Sequence, residues 1–397
     1  MKNKVIIIGL GYVGLPVAIA AAKSGCNVIG IDLNAEKVNS INLGLSPVED
    51  IDDAQIQELI SNGSFRASNK FEKIREANIV LICVPTPLLK NQLPDLSMVE
   101  NAARSMGEYL MTGTLVILES TVAPGTTRDF LAPLIKSVLH ISTNEIDLAF
   151  SPERIDPLNR NWNLKNTPKI VAGLTDQSRK KAVDFYSRFV DEVIECESLE
   201  IAETAKLLEN SFRLINISFI NELSKLCHKL GIEITEVINA AATKPYGFMP
   251  FYPSLGVGGH CIPVDPLYLS SKASEVGAPI QLIELAAQIN MSIPQYFVLR
   301  AEEKLRELKG KSILVVGVSY KPNVSDIRET PVEALILGLR LKGAQVFWHD
   351  DFVKEWKDEK SVALGDHYDL AIIATPHDYL DLTKLRNVPI LNTRGSI

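Results

Sequence analysis

A cysteine embedded in a glycine-rich stretch is the feature of this sequence with the most obvious chemistry. Between Lys244 and Leu267 the chain reads KPYGFMPFYPSLGVGGHCIPVDPL, so Gly256, Gly258 and Gly259 run into His260-Cys261 and then Asp265-Pro266. Glycines packed this densely let backbone N–H groups approach a ligand where a Cβ would clash, and such loops commonly cradle phosphates. Asp followed by Pro is the cap and first residue of a helix start, and a helix start favours a thiolate or an anionic ligand beside it. Most single cysteines are packing residues. A nucleophilic role for Cys261 therefore needs support from the rest of the chain.

A second chemical signal opens the sequence. The apolar run Lys4 to Ile8 is followed by Gly9-Leu10-Gly11-Tyr12-Val13-Gly14 and then by an Ala-rich helical segment, Leu15 to Ser24. A GxGxxG between a strand and a helix is the dinucleotide-binding fingerprint, with the pyrophosphate on the helix N-terminus. The next strand, Asn27 to Ile31, ends in Asp32. A carboxylate there accepts hydrogen bonds from the adenosine ribose and disfavours a 2′-phosphate, so NAD is the expected cofactor. Further apolar runs at Ala77 to Val84, Thr114 to Glu119 and Asp147 to Phe150 end in Pro85-Thr86-Pro87, Ser120-Thr121 and Ser151-Pro152-Glu153-Arg154. In a parallel sheet the C-terminal strand ends line the ligand crevice, so these loops are expected to face the cofactor.

The elements that must position these groups follow. Glu200 to Leu230 lacks Pro and Gly and stops at Gly231, which predicts one long helix; Lys206, Asn210 and Arg213 recur on one face of it. A second helix is predicted from about Ile280 to Lys309. The end of the chain repeats the beginning: Lys311 to Pro322 (KSILVVGVSYKP) parallels Val5 to Pro16, Gly343 to Asp350 parallels Gly25 to Asp32, and Tyr368 to Asp378 parallels Ala77 to Pro87. The later copy lacks GxGxxG but has Lys321, a point charge that could neutralise a phosphate. The expected fold is α/β, with two Rossmann-like doubly wound domains joined by a helical connector with a long central helix. The expected boundaries are 1–198 for an NAD-binding domain, 199–309 for the helical domain and 310–397 for a second, degenerate nucleotide-binding domain, with the active site in an interdomain cleft.

Composition bounds the partners. With 397 residues the chain exceeds one core, and 46% hydrophobic and 22% charged residues are ordinary for a globular protein. A net charge of −7 without a Lys/Arg cluster argues against nucleic acid. No apolar run reaches the roughly 18 residues that span a bilayer, so a cytoplasmic protein without a membrane partner is expected. Five scattered cysteines, Cys26, Cys83, Cys196, Cys227 and Cys261, lack metal-ligand spacing, so reduced thiols and no metal are expected.

Taken together, the motifs resemble the UDP-glucose/GDP-mannose dehydrogenase family over the whole length. They are GLGYVGLP (Gly9 to Pro16), CVPTP (Cys83 to Pro87), ESTVAPGTT (Glu119 to Thr127), SPERIDP (Ser151 to Pro157), AETAKLLEN (Ala202 to Asn210), GGHCIPVDP (Gly258 to Pro266) and KPNVSDIRETP (Lys321 to Pro331). SPERIDP and the stretch before the Gly loop look most like the bacterial UDP-N-acetylglucosamine 6-dehydrogenase branch. Two departures from that branch, Ser254-Leu255 in place of Gly-Pro and Leu158 in place of Gly, fall near the expected substrate.

The resemblance implies oxidation of a C6 alcohol to a carboxylate, with two NAD reduced. Lys206 and Asp265, assisted by Asn210, are the candidate bases for the first step. Cys261 would attack the aldehyde, and the resulting thioester would be hydrolysed by water held by Thr121 and Glu153. Gly9, Gly11, Tyr12, Val13, Gly14, Asp32, Thr86, Thr121 and Arg328 are expected to contact NAD. Arg154, Asn210, Arg213, Tyr252, Gly258 and Lys321 are expected to hold the UDP-sugar, with Asp156 or Asn159 accepting from the amide of an N-acetyl group. The expected substrate is UDP-N-acetyl-D-glucosamine, the alternatives being UDP-N-acetyl-D-mannosamine and UDP-glucose. The apolar residues Leu208, Phe212, Ile215, Phe219 and Leu223 spread around the long helix, which predicts a homodimer through it.

Overall fold

The computed structural model describes residues 3–48, 51–139, 146–156, 159, 161–378 and 380–395; Pro157 and Leu158 of the SPERIDP region lie outside the described residues. The chain forms two compact units, Met1–Glu209 and Asn210–Ile397.

The first unit holds β1 (Lys4–Ile8), α1 (Gly14–Lys23), β2 (Asn27–Ile31), α2 (Ala35–Asn42), α3 (Asp53–Ser61), β3 (Phe65–Ser68), β4 (Ile79–Ile82), α4 (Ser97–Gly107), β5 (Leu115–Leu118), α5 (Ala132–Leu139), β6 (Leu148–Phe150), β7 (Lys169–Gly173), α6 (Asp176–Tyr186) and β8 (Val193–Glu195). Its sheet has the order β3-β2-β1-β4-β5-β6-β7-β8. The first six strands are parallel, β7 returns antiparallel to β6, and β8 pairs parallel to β7. Alternate residues of β1 enter opposite cores: Val5 and Ile7 pack with Leu15 and Phe65, whereas Ile6 and Ile8 pack with Val80 and Val116. Burial on both faces explains why these strands read as unbroken apolar runs.

The long helix α7 (Leu199–Leu230) ends in the second unit, which continues with α8 (Ile234–Ala242), α9 (Asp265–Glu275), α10 (Gln281–Leu305), β9 (Ser312–Val316), α11 (Val332–Leu341), β10 (Gln345–His349), a hairpin of β11 (Glu355–Trp356) and β12 (Glu359–Lys360), β13 (Leu370–Ile373) and β14 (Ile390–Asn392). β10-β9-β13-β14 form a parallel sheet. Helix α10 stops four residues before the expected Lys309, because Arg306 adopts a left-handed conformation (φ 68°) that ends the turn.

The internal repeat holds in atomic detail. Gly9 N–H donates to Ile31 O and Gly317 N–H to His349 O, both at 2.8 Å. The residue after each glycine donates to an aspartate, Leu10 to Asp32 at 3.0 Å and Val318 to Asp350 at 2.7 Å. The second aspartate is nevertheless unsuited to a ribose. Asp350 is buried, also accepts from Phe352 and Val353 N–H, and lies 3.1 Å from His377 Nε2. Its acceptor positions are committed inside the protein.

Candidate active site

The nucleotide half of the site is built at the end of β1. A Cβ on Gly9 would lie 2.7 Å from Cys83 O and one on Gly14 1.9 Å from Gly9 O, so both glycines are demanded by the tight strand–helix turn. Gly11 has nothing within 4 Å of its Cβ position, which leaves that flank open at the start of α1. Tyr12 and Val13 are half-buried against the core. Asp32 accepts from Leu10 and Asn34 N–H, each at 3.0 Å, and pairs with Lys37 at 2.8 Å. Burial pushes its carboxyl up, but the Lys37 hydrogen bond and the two backbone donors outweigh that and hold it below the usual range. An ionised carboxylate with further lone pairs, an open glycine flank and a helix N-terminus fit NAD.

The loops after β4 and β5 are joined by Thr86, whose hydroxyl donates to Thr121 O at 2.8 Å. Glu203 of α7 anchors the segment that follows Thr121, accepting from Gly125 N–H at 2.6 Å and Thr127 N–H at 2.9 Å. Its burial pushes its pKa up to about 7.

Around Glu153 the structure reveals a cluster that the sequence did not announce. Glu153 Oε1 accepts from Arg154 and Ile155 N–H at 2.7 and 2.6 Å. Lys169, at the start of β7, is buried with its Nζ 3.3 Å from Glu119 Oε1 and 3.9 Å from Glu153 Oε2. Tyr186 donates to Glu119 and lays its ring 4.9 Å from the Lys169 ammonium. Burial works against the Lys169 charge, yet Glu119 and Glu153 outweigh it and raise its pKa. Burial, and then Glu119, push both Tyr186 and Cys83 well above their ordinary values, so both stay neutral. Arg154, expected at the sugar, pairs with Glu209 at 2.8 Å and donates to Pro168 O at 2.6 Å. Asn159 Oδ1 accepts from Asn161 and Trp162 N–H, both at 3.0 Å, and Asn159 Nδ2 donates to Asp156 Oδ2 at 3.3 Å.

In the second unit Cys261 is exposed, four residues ahead of a buried Asp265. Asp265 is the first residue of α9, after Val264 at the cap, and its Oδ2 accepts from Asn210 Nδ2 at 2.6 Å. The carboxylate is thus turned to α7 and does not cap its own helix. Donors expected to favour a thiolate are also spent: Val264 and Asp265 N–H both bond Cys261 O, at 3.1 and 2.8 Å, and Pro266 has none. Burial, then Arg328, hold the His260 imidazole below its usual range, so it is neutral at pH 7 and brings no charge to the thiol.

The glycines of this loop answer to packing. Cβ atoms at Gly258 and Gly259 would lie 2.5 Å from Glu329 O and 2.8 Å from the Tyr320 ring, and Gly256 (φ 124°) sits against Asn290. Gly256, Val257 and Gly259 N–H donate to Ser254 Oγ, Asn290 Oδ1 and Arg328 O, so these amides do not form the expected phosphate cradle. The Ser254-Leu255 departure has local reasons too: Ser254 supplies that hydroxyl, and Leu255 is buried with Ile293 and Phe297; Leu158, the other departure, lies outside the described residues. Lys321 and Arg328 stand on the loop after β9, Arg328 gripping Asp326 at 2.9 Å. Tyr252 is half-exposed, its hydroxyl 3.3 Å from Asn239 Oδ1, and Arg213 is exposed on α7. Lys206 is buried one turn before Asn210 on the same face of α7. Among the described residues no group of three or more His, Cys, Asp or Glu side chains could hold a metal ion, and no helix is long and apolar enough to cross a membrane.

Known families account for this arrangement along nearly the whole chain. Residues 3–190, 200–292 and 314–395 match, respectively, the NAD binding, central and UDP binding domains of the UDP-glucose/GDP-mannose dehydrogenase family. The chain belongs to that family. It is 32% identical over 395 residues to a UDP-N-acetyl-D-glucosamine 6-dehydrogenase of Salmonella typhi (94% of this chain, 90% of that one). It is 33% identical over 380 residues to a UDP-N-acetyl-D-mannosamine dehydrogenase of Pyrococcus horikoshii (94% and 89%). A solved structure of UDP-D-ManNAc dehydrogenase from P. horikoshii superposes with a TM-score of 0.91 at 31% identity, covering 98% of this chain and 95% of that one. The protein is an NAD-dependent UDP-sugar dehydrogenase.

Proposed function

We propose that the protein oxidises the C6 alcohol of UDP-N-acetyl-D-glucosamine to UDP-N-acetyl-D-glucosaminuronic acid, supplying a surface-polysaccharide precursor in the cytoplasm. The observation that carries the mechanism is the exposed Cys261 thiol on the approach to a buried Asp265 that Asn210 fixes at 2.6 Å. NAD, when bound, takes up a hydride in each of the two oxidations. The chain's own groups do the rest. Lys206 or Asp265 receives the hydroxyl proton as the aldehyde forms. Cys261 adds to the aldehyde carbon, giving a thiohemiacetal that is oxidised to a thioester. Water, held by Thr121 and Glu153, then cleaves the C–S bond, returning the thiol and releasing the carboxylate. One alcohol and one water give one carboxylate, two NADH and three protons.

On this reading Gly9, Gly11, Tyr12, Val13, Gly14, Asp32, Thr86, Thr121 and Arg328 serve NAD. Tyr252, Gly258, Lys321, Arg154, Asn210 and Arg213 serve the UDP-sugar. The functional division is 1–198, 199–309 and 310–397. Resemblance in SPERIDP and the S. typhi relative support the glucosamine sugar, while the likeness to the P. horikoshii protein favours UDP-N-acetyl-D-mannosamine as the second reading. Comparison of kcat/KM for the two N-acetyl sugars and UDP-glucose tests the assignment. UDP-N-acetyl-D-glucosamine should lead, and a lead for either other sugar overturns it. A homodimer through α7 is supported by Leu208, Phe212 and Phe219, 61%, 46% and 60% exposed on this helix. Light scattering at micromolar concentration should give twice the chain mass, and a monomer refutes the dimer.

A further inference from the structure

We propose that Lys169 is a positioning residue for the hydrolytic step, its buried ammonium standing beside Glu153 so that one carboxyl oxygen is reserved for water. The proposal rests on the reading that Glu153 serves thioester hydrolysis. The two oxygens of Glu153 are sharply unequal. Oε1 is fixed by two backbone N–H groups, whereas Oε2 is buried and, among the described residues, has no hydrogen-bond partner. A buried carboxylate oxygen left unpaired costs about 1–3 kcal/mol or more, and a cation close by is the usual compensation. Lys169 supplies that charge from 3.9 Å without occupying the oxygen.

The lysine cannot easily swing away or donate more closely. Its Nζ lies 3.3 Å from Glu119 Oε1 and 3.3 Å from Pro152 O, and the Tyr186 ring closes over it at 4.9 Å. A cavity of ≈ 10 Å³ lined by Glu153, Arg154, Pro168 and Lys169 adjoins the pair, about the room one water needs. The charged and titratable groups facing Glu153 are Lys169 from β7, Glu119 from the end of β5, Tyr186 from α6, Cys83 from the end of β4 and, on its own loop, Arg154 paired with Glu209. Of these groups Lys169 is the cation that lies beside Glu153 Oε2, at 3.9 Å, and it is itself held between Glu119 and Glu153. In the step itself the water oxygen attacks the thioester carbonyl, its proton passes to Glu153 Oε2, and the C–S bond pair returns to the Cys261 sulfur.

The test uses the full-length enzyme. In Lys169→Met the acid limb of the kcat profile should move up by about one to three pH units, and intact-protein mass spectrometry should show a covalent sugar adduct accumulating, with KM for NAD within about twofold of wild type. Lys169→Arg should restore the profile. Should Lys169→Met not fold, Lys169→Gln, which keeps a polar head for Glu119 and Pro152 O but carries no charge, should show the same shift. An unmoved acid limb and no adduct in whichever variant folds overturn the proposal. Glu153→Gln separates the two ideas: an adduct in Glu153→Gln but none in Lys169→Met sinks the lysine alone, and none in either sinks the reading of Glu153 as well.

Discussion

Asp32→Ala tests the nucleotide half of the site. The Asp32 carboxylate anchors Leu10 N–H in the glycine turn, caps Asn34 and pairs with Lys37 at 2.8 Å, leaving lone pairs for ribose hydroxyls. Losing a charge-assisted hydrogen bond to the ribose costs about 1.5–3 kcal/mol, which is roughly 10- to 150-fold in Kd for NAD. The same change frees the Lys37 ammonium, partly exposed at 29%, to meet a 2′-phosphate. NADP should therefore lose less than NAD, or gain. Calorimetry with both nucleotides measures this, and thermal melting checks that the orphaned Leu10 N–H has not unfolded the turn. An NAD Kd within about twofold of wild type, in a folded variant, would refute the ribose role.

Cys261→Ser should abolish carboxylate formation while leaving the Kd for NAD and for the UDP-sugar within about twofold, since an unactivated hydroxyl is a far weaker nucleophile than a thiolate; full turnover by that variant removes Cys261 from the mechanism. Asp350 predicts an acid-stability window. Burial pushes its carboxyl up, but the His377 contact and the Val318 and Val353 N–H groups bring it down to about 2 from 3.8. A depressed carboxylate contributes stability above its unfolded value and loses it as pH falls through the folded one, here about 2 kcal/mol lost between roughly pH 4 and 2. Urea unfolding of Asp350→Asn should be less pH-dependent across that window than wild type, and equal slopes would contradict the assignment.

Much of the first half of the fold was legible because short-range patterns dictate it. A strand buried on both faces, a turn that only Gly9 and Gly14 allow, and Asp32 at the next strand end all follow from local sterics and hydrogen bonding. The repeat was legible for the same reason, and β9 pairs with β10 and β13 as β1 pairs with β2 and β4. What stayed hidden depends on partners distant in sequence. Gly256, Gly258 and Gly259 read as a phosphate loop, yet Asn290, Tyr320 and Glu329 fill the space beside them. Lys169 lies in a strand whose antiparallel return beside β6 has no local signature, so its approach to Glu119 and Glu153 was invisible. Asp265-Pro266 correctly marked a helix start, but the side chain's bond to Asn210 could not be told from a cap.

The central claim is a thiol-dependent oxidation that removes four electrons from one sugar. Its most direct measurement is the number of NADH formed per UDP-N-acetyl-D-glucosamine consumed to completion, with the product examined by mass spectrometry. Two NADH and a uronic acid are predicted; one NADH with release of an aldehyde would contradict the account.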